Sequence, residues 1–455
     1  MNKRYSILSI AAVAVIAATL FGSTYTQSQM TGNSLSISTT NEDLMQKIRD
    51  MGGLELVMPQ AFAALDCANL EEGRNVVEFN LTGESADLPI MGHTAENPKT
   101  YKAMTFSGQV PGPTLRVTQG DIVKMTLSIP EGELTPHGMD MHASQMNAVP
   151  DFGAVQPGTS KTYCYIAQVP GTFKYHCSGV NVAAMDQHVL SGMYGMTIVD
   201  PLDGYKKLMV EKTAVEGGQV VKDRTMYSGD ALEFQLQYNQ LYLTEDGNYD
   251  MSAMMQHKQT QTTVNGMALG YVPNEGHNEL IKGDKNKNIF FLQPWNSAAL
   301  NQYQSQLLFI EAGQHVRLFV ENQGNEPVYF HIVGEIIDRV VQGNRVQAQG
   351  TETWLIGGSQ GAIMDVVFDE PGVYVAVNHD YASIFSGAAS IFVVGDPFGL
   401  NEQLGTSVSS YAELIGNPTD AIPPSGMNSM SHPKQVLHGL YTDARADEIK
   451  AERGI

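Results

Sequence analysis

Two stretches of this 455-residue chain carry the same markers in the same order, and that repetition restricts the fold more than any other feature. Val123-Lys-Met125-Thr-Leu127-Ser-Ile129 alternates apolar and polar side chains, the pattern of a half-buried strand. Val316-Arg-Leu318-Phe-Val320 reads as its equivalent, and each run follows a glycine, Gly120 or Gly313, at the same distance. Upstream, Met104-Thr-Phe-Ser-Gly108 parallels Thr262-Thr-Val-Asn-Gly266; downstream, Pro170-Gly-Thr-Phe173 parallels Pro371-Gly-Val-Tyr374. Short strands cannot bury their apolar faces alone, so each set requires its own core. The expected class is all-β, with two tandem Greek-key β-sandwich domains at 75–203 and 231–397, a linker at 204–230 and a tail at 398–455 whose charged end suits a short helix.

The N-terminus has a basic start and an apolar run from Ile7 to Phe21, so residues 1–24 read as either a cleaved export signal or an N-terminal anchor. Residues 25–74 follow as a polar spacer and N-terminal extension. Export places the protein in the periplasm or on the outer face of the cell membrane, where two of the cysteines Cys67, Cys164 and Cys177 can pair. Cys67 with Cys164 is the pairing considered. With 27 basic against 48 acidic side chains the net charge is -21, which repels phosphate backbones, so nucleic acid is not expected as a partner.

Of the 12 histidines, four lie between His137 and His188 together with Cys177, which makes this the chemical centre of the chain. Cys177, His188 and Met193 follow one another in a single segment, and His137 is available from a separate strand. A soft thiolate with two imidazoles and a weak thioether is the ligand set of a blue-copper, electron-transfer site. A buried thiol among core histidines is the plainer alternative, and zinc is disfavoured because paired cysteines at short spacing are lacking. Neighbouring side chains on a strand point to opposite faces, so His176 faces away from whatever Cys177 binds. A second metal there, with His142, His176 and a third imidazole from elsewhere, would form a catalytic site with an open position.

The second repeat offers that imidazole as His379. The position that matches Cys177 is Asn378, so this domain lacks a blue-copper thiolate. His331 is aligned with His137 of the first repeat, and Asp140 and His331 both have side chains able to deliver protons. From spacing alone, a turn carboxylate and a satisfied core histidine explain these two equally well.

The motifs Ala103-Met-Thr-Phe-Ser-Gly-Gln-Val-Pro-Gly-Pro-Thr-Leu115, His137-Gly-Met-Asp140-Met-His142, Tyr175-His176-Cys177, His188-Val-Leu-Ser-Gly-Met193, Phe330-His331-Ile-Val333, Glu352-Thr353-Trp354 and Val377-Asn-His379 together resemble the copper-containing nitrite reductases, two-domain cupredoxins of the multicopper oxidase superfamily. The resemblance implies type 1 copper on His137, Cys177, His188 and Met193, and type 2 copper on His142, His176 and His379. In that family His379 would come from a neighbouring subunit of a homotrimer. It implies Asp140 and His331 as proton donors, Val333 as the apolar residue over the substrate, and Glu352 with Thr353 as a supporting shell for the histidine. The implied reaction is one-electron reduction of nitrite to nitric oxide, with a small cupredoxin or c-type cytochrome as electron donor. Departures are the longer segment from Cys177 to His188, without its usual Pro-Trp, and Gly334-Glu335-Ile336 where the family often has Gly-Gly-His. Competing readings are a laccase-like multicopper oxidase, for which His-x-His pairs are missing, and a non-catalytic blue-copper carrier.

Overall fold

The computed structural model describes residues 67, 75–90, 100–145, 153–179, 182–266, 268, 307–395, 426–428, 439–440 and 451. The signal or anchor at 1–24, and the 25–74 extension apart from Cys67, lie outside the described residues. Among the described residues no helix is long and apolar enough to cross a membrane.

The first repeat contains β1 (Val76–Pro89), β2 (Thr100–Phe106), β3 (Thr114–Thr118), β4 (Ile122–Ser128), β5 (Asp140–Met141), β6 (Ser160–Ile166), β7 (Gly171–His176), helix α1 (Val182–Leu190) and β8 (Tyr194–Asp200). Two sheets, ordered β2-β1-β4-β6 and β3-β8-β7-β5, enclose a core that includes Phe79, Val123, Met125, Leu127 and Tyr163. The alternation in β4 is realised directly: Val123, Met125 and Leu127 are buried, while Lys124 on the opposite face pairs with Glu78 at 2.7 Å. Each such side chain taken fully from water contributes about 1.5–3 kcal/mol. Cys67 and Cys164 form a disulfide, which ties the chain ahead of β1 to β6.

Next come β9 (Leu208–Glu216) and β10 (Gln219–Tyr227), then β11 (Leu232–Leu241), α2 (Met251–Met255), β12 (Gln261–Val264), β13 (Leu307–Ile310), β14 (His315–Asn322), β15 (Val328–Val333), β16 (Ile337–Gln342), β17 (Arg345–Thr351), β18 (Thr353–Ile356), β19 (Gly361–Val367), β20 (Gly372–Asn378), α3 (Tyr381–Phe385) and β21 (Ala389–Val394). The sheets β12-β11-β14-β19-β16-β17 and β13-β21-β20-β15-β18 enclose a second core. Topology repeats along with sequence. β1 runs parallel to β4 as β11 does to β14, and β3 runs parallel to β8 as β13 does to β21. The protein is all-β, with two tandem cupredoxin-like β-sandwich domains.

Four expectations change in detail. The stretch read as a linker is folded, since β9 and β10 form an antiparallel hairpin with Gly217 and Gly218 at its turn, both at positive φ. The stretch read as a tail adds β22 (Gly426–Asn428) to β3 and β23 (Gly439–Leu440) to β11, so it supplies an edge strand to each domain; its charged end, apart from residue 451, lies outside the described residues. The second alternating strand is buried on both faces, because the polar face of β14 lies against the first domain, where β7 packs on it. His331 is in register with Asp140 rather than with His137: His331 pairs with Val377 as Asp140 pairs with His176, and Val377 and His176 are equivalent by their distance from the shared Pro-Gly.

A buried ionic network occupies the domain interface. Arg116 grips Asp200 at 2.8 and 2.9 Å and reaches Glu233 at 2.7 Å. Glu233 also accepts from Arg317 at 2.9 Å. Asp365 takes Arg339 at 2.7 Å and His315 at 2.9 Å. Arg317 and Arg339 continue to the carbonyls of Gly229, Lys206 and Lys207, so the network fixes the segment between the domains as well. Dehydrating these charges is costly, and removing one partner strands the others. Asp365→Ala is therefore expected to destabilise the protein by about 3–5 kcal/mol in denaturant unfolding. Its guanidinium and imidazole partners hold the Asp365 carboxyl down at about 2, against an ordinary 3.8. A lowered carboxylate contributes stability that is complete above its unfolded value and lost as pH falls toward the folded one. That contribution should disappear between pH 3.8 and about 2 in the parent and be absent from the acid limb of Asp365→Asn.

Candidate metal centres

β7 delivers two chemistries from adjacent residues. Its last residue, His176, lies on the face turned toward the second domain, and the next residue, Cys177, turns into the core of the first. Cys177 Sγ is 3.3 Å from His188 Nδ1 and 3.9 Å from His137 Nδ1, and the two ring nitrogens are 3.2 Å apart. Each residue is positioned by a different element. His137 forms a bridge with Val155 ahead of β5, and His188 sits in the last turn of α1, into which the longer segment after Cys177 is wound. The Cys177 N–H donates to the Met193 carbonyl at 3.0 Å and the Met193 N–H donates to that of His188 at 3.1 Å, so backbone bonds clip three of the four together. Met193 packs beside His137: a methyl on Gly83 would come within 2.9 Å of Met193 Cε and 3.3 Å of His137 Cδ2.

All four side chains are essentially removed from water. Burial, then the neighbouring His188, pushes the His137 imidazolium down to about 4, so the ring is neutral; burial likewise lowers His188. Burial raises the Cys177 thiol to about 11, opposed by the Gly138 and Gly179 N–H groups that donate to Sγ at 3.5 and 3.2 Å. A Cβ on Gly138 would sit 2.2 Å from Ser178 Oγ and 3.0 Å from the Gly153 carbonyl, so a side chain there would have to displace its neighbours. Two neutral imidazoles turning the same nitrogen toward one point beside a sulfur form a donor set for a soft-to-borderline cation. These residues fit a copper ion.

The second group is Asp140, His142 and His176, whose ligand atoms all lie within 4.8 Å of one another. His142 Nε2 and His176 Nε2 are 3.1 Å apart, and Asp140 Oδ2 lies 3.7 and 3.4 Å from them. His176 Nδ1 is held by the Cys177 carbonyl at 2.9 Å, which makes its Nε2 the acceptor nitrogen. The His142 ring lies against the backbone of Ser359 in the second domain. Burial lowers the His176 imidazolium to about 3 and also lowers that of His142, and burial raises Asp140 against the pull of His142 and Lys174. His142 and Asp140 remain 31% and 23% exposed, so this group opens to solvent while the cysteine group does not. Among the described residues, no third imidazole joins this group.

His331 and His379 lie together on the second domain, with ring centroids 5.2 Å apart. His331 Nδ1 meets the Glu352 carbonyl at 2.7 Å, Thr353 Oγ1 at 3.3 Å and Glu352 Oε2 at 3.4 Å, while Thr353 donates to Glu352 at 2.8 Å. Glu352 and Thr353 therefore orient His331. Val333 is 51% exposed on the same outward side of β15. His379 is exposed, and its N–H is bound to the Tyr329 carbonyl at 2.8 Å.

Three contributors were not singled out from the sequence. Glu133 lies 4.0 Å from His137 Nε2, Ser359 lies against the His142 ring, and Lys174 is buried beside the second group. Only Lys174 carried a signal, as a cation on the same strand face as His176.

Residues 91–204 match the family model described as multicopper oxidase. The copper-containing nitrite reductase of Neisseria meningitidis serogroup B is 29% identical over 301 residues, a match covering 65% of this chain and 64% of that one, less than two thirds of the relative's length. That of Rhizobium sullae is 30% identical over 365 residues, covering 78% of this chain and 85% of that one. The solved copper nitrite reductase of Nitrosomonas europaea is similar with a TM-score of 0.54 at 30% identity, over 70% of this chain and 94% of that chain. With motifs, topology and this extent of similarity in agreement, the chain belongs to the copper-containing nitrite reductase family.

Proposed function

We propose that the protein reduces nitrite by one electron to nitric oxide and water, with His137, Cys177, His188 and Met193 holding an electron-entry copper and His142 and His176 holding a catalytic copper. The carrying observation is the adjacency of Cys177 and His176: one covalent step joins a sealed thiol-containing group to a half-open histidine pair. When bound, copper supplies the one-electron couple at the first group and a Lewis-acidic seat for an anion at the second. The chain's own part begins with the sealed first group, where buried ligands and the Gly138 and Gly179 N–H donors keep the surroundings the same in both charge states.

At the second group the reaction consumes two protons, NO2⁻ + e⁻ + 2H⁺ giving NO + H2O. Asp140 Oδ2, 3.4 Å from His176 Nε2, stands where it can hand a proton to an oxygen of the anion, and its raised pKa makes the acid form accessible. His331 is oriented for the same task by Glu352 and Thr353, with Val333 beside it as the apolar wall over the substrate. His331 and His379 would reach this group from a second copy of the chain. Tyr329, Val333, Leu355 and Tyr381, all exposed on or beside β15 and β18, provide the apolar surface such a contact would cover. A head-to-tail contact of this kind closes into a ring, here a homotrimer, with the partner subunit's His379 as third ligand. The proposed domain limits are 75–203 and 231–397. A small cupredoxin or c-type cytochrome would supply electrons to the exported, periplasmic enzyme.

The reading is tested by assaying nitric oxide from nitrite on copper-loaded protein while measuring its mass and copper content. A trimer with two coppers per chain and sustained turnover is expected; a monomer without nitric oxide production would refute it. His379→Ala should keep the blue absorption and lose about one copper per chain, although His379 is remote from His142 in its own subunit. Asp140→Asn should retain both coppers and lower kcat by about 10²–10³. Unchanged turnover in that variant would remove Asp140 from proton delivery.

A further inference from the structure

We propose that Lys174 positions the second metal group, acting as a strap between its histidines and a fixed corner of the second domain; this rests on reading that group as a copper site. Lys174 lies on the same face of β7 as His176 and is 3% exposed. Its Nζ donates to the Gln323 carbonyl at 2.6 Å and to Ser359 Oγ at 3.3 Å. Its own carbonyl accepts the His142 N–H at 2.9 Å. Ser359, which receives the ammonium group, also has its backbone against the His142 ring. Residue 174 thus meets His142 through its main-chain carbonyl, which any side chain would keep, while its ammonium group ties the strand that carries His176 to Gln323 and Ser359 of the second domain.

The receiving corner is stiff. The Gln323 N–H donates to the Tyr238 carbonyl at 2.7 Å, and the Ser359 N–H donates to that of Asn322 at 3.0 Å. Asn322 Nδ2 bonds the carbonyls of Glu326 and Ile356, joining the two turns into one unit. Ser359 has φ +60°, a left-handed conformation that a non-glycine residue keeps only when its surroundings enforce it. Burying an ammonium costs several kcal/mol unless oxygen acceptors surround it, and a methionine would fill the same space without that cost. The buried Lys174 ammonium also lies close enough to Asp140, His142 and His176 for its charge to act on all three, with the buried Glu321 on the other side of its charge balance. An anion arriving from solvent thus meets an attractive field aligned with the metal position.

The test compares wild type with Lys174→Met and Ser359→Ala by copper titration, electron paramagnetic resonance and steady-state kinetics. Wild type is measured first, and a protein holding one copper per chain overturns the two-copper reading itself before any variant is made. With two coppers in wild type, Lys174→Met should keep the blue absorption, which reports an intact first domain. Its second copper should bind about 10–100-fold more weakly, with an altered non-blue hyperfine pattern, as when a group orienting a metal-bound histidine is lost. The nitrite KM should rise more than kcat falls, because the field acts on anion binding. Ser359→Ala should move the same signals in the same direction by less. An unchanged second-copper affinity and hyperfine pattern in Lys174→Met overturns the proposal; should that variant lose its blue absorption, unchanged signals in Ser359→Ala overturn it.

Discussion

The period-two alternation of a single strand governs the rest of the structure. β7 runs along the domain interface, so one of its faces packs into the first sandwich and the other meets the second domain. Cys177 follows the inward face and His176 the outward one. Because adjacent side chains on a strand must diverge, the two groups are forced apart in space while remaining one residue apart in the chain. A slip of one residue in the register of β7 would exchange the faces, turning the imidazole into the core of the first domain and the thiol toward the second. The tight pairing of β7 with β8, from Gly171–Val199 to His176–Tyr194, prevents that slip.

The second domain is held against β7 by a buried charge network set beside apolar clusters, among them Met196 and Ile198 packed on Phe319 and Ile363. Arg116, Asp200, Glu233, Arg317, Asp365 and Arg339 balance three positive against three negative side chains, each with directional bonds. Stranded buried charges penalise each misplaced docking, in addition to the packing lost from the apolar clusters. The Lys174 bonds to Gln323 and Ser359 extend the same principle to the edge of the second metal group. Fixed spacing between the domains matters there because Ser359 belongs to one domain and His142 to the other.

Much of this was legible in the sequence because it depended on local pattern. The two alternating runs, their preceding glycines and the Pro-Gly markers report strand faces and turns, which are properties of a few adjacent residues. The clustering of His137, Cys177 and His188 was legible because three uncommon side chains in one region are chemically distinctive. What escaped depended on long-range partners. The full burial of β14 follows from the first domain covering its polar face, and nothing within Val316-Arg-Leu318-Phe-Val320 announces that cover. The hairpin at β9 and β10 lacks a buried face along most of its length, so its charged strands resemble a solvated connection. Ser359 is an ordinary turn serine until His142 and Lys174, both far off in sequence, arrive beside it.

The register that links His331 with Asp140 gives the duplication a chemical meaning. In the first domain, the strand carrying Asp140 presents its polar residues to the second domain of the same chain, where Ser359 and Lys174 meet. In the second domain, the equivalent strand presents Tyr329, His331 and Val333 outward, with Leu355 beside them and no covering partner within the described chain. The two equivalent strand positions thus differ in that one is covered and one is open. On the proposed assembly, in which the open surface receives the first domain of another copy, Asp140 and His331 are brought to opposite sides of one metal group. A gene duplication would then have placed both acids at matching strand positions, with the assembly joining what the chain keeps apart. On that proposal Asn378, at the position of Cys177, needs no thiolate, since the second domain would present histidines to a neighbour rather than seal a metal within itself.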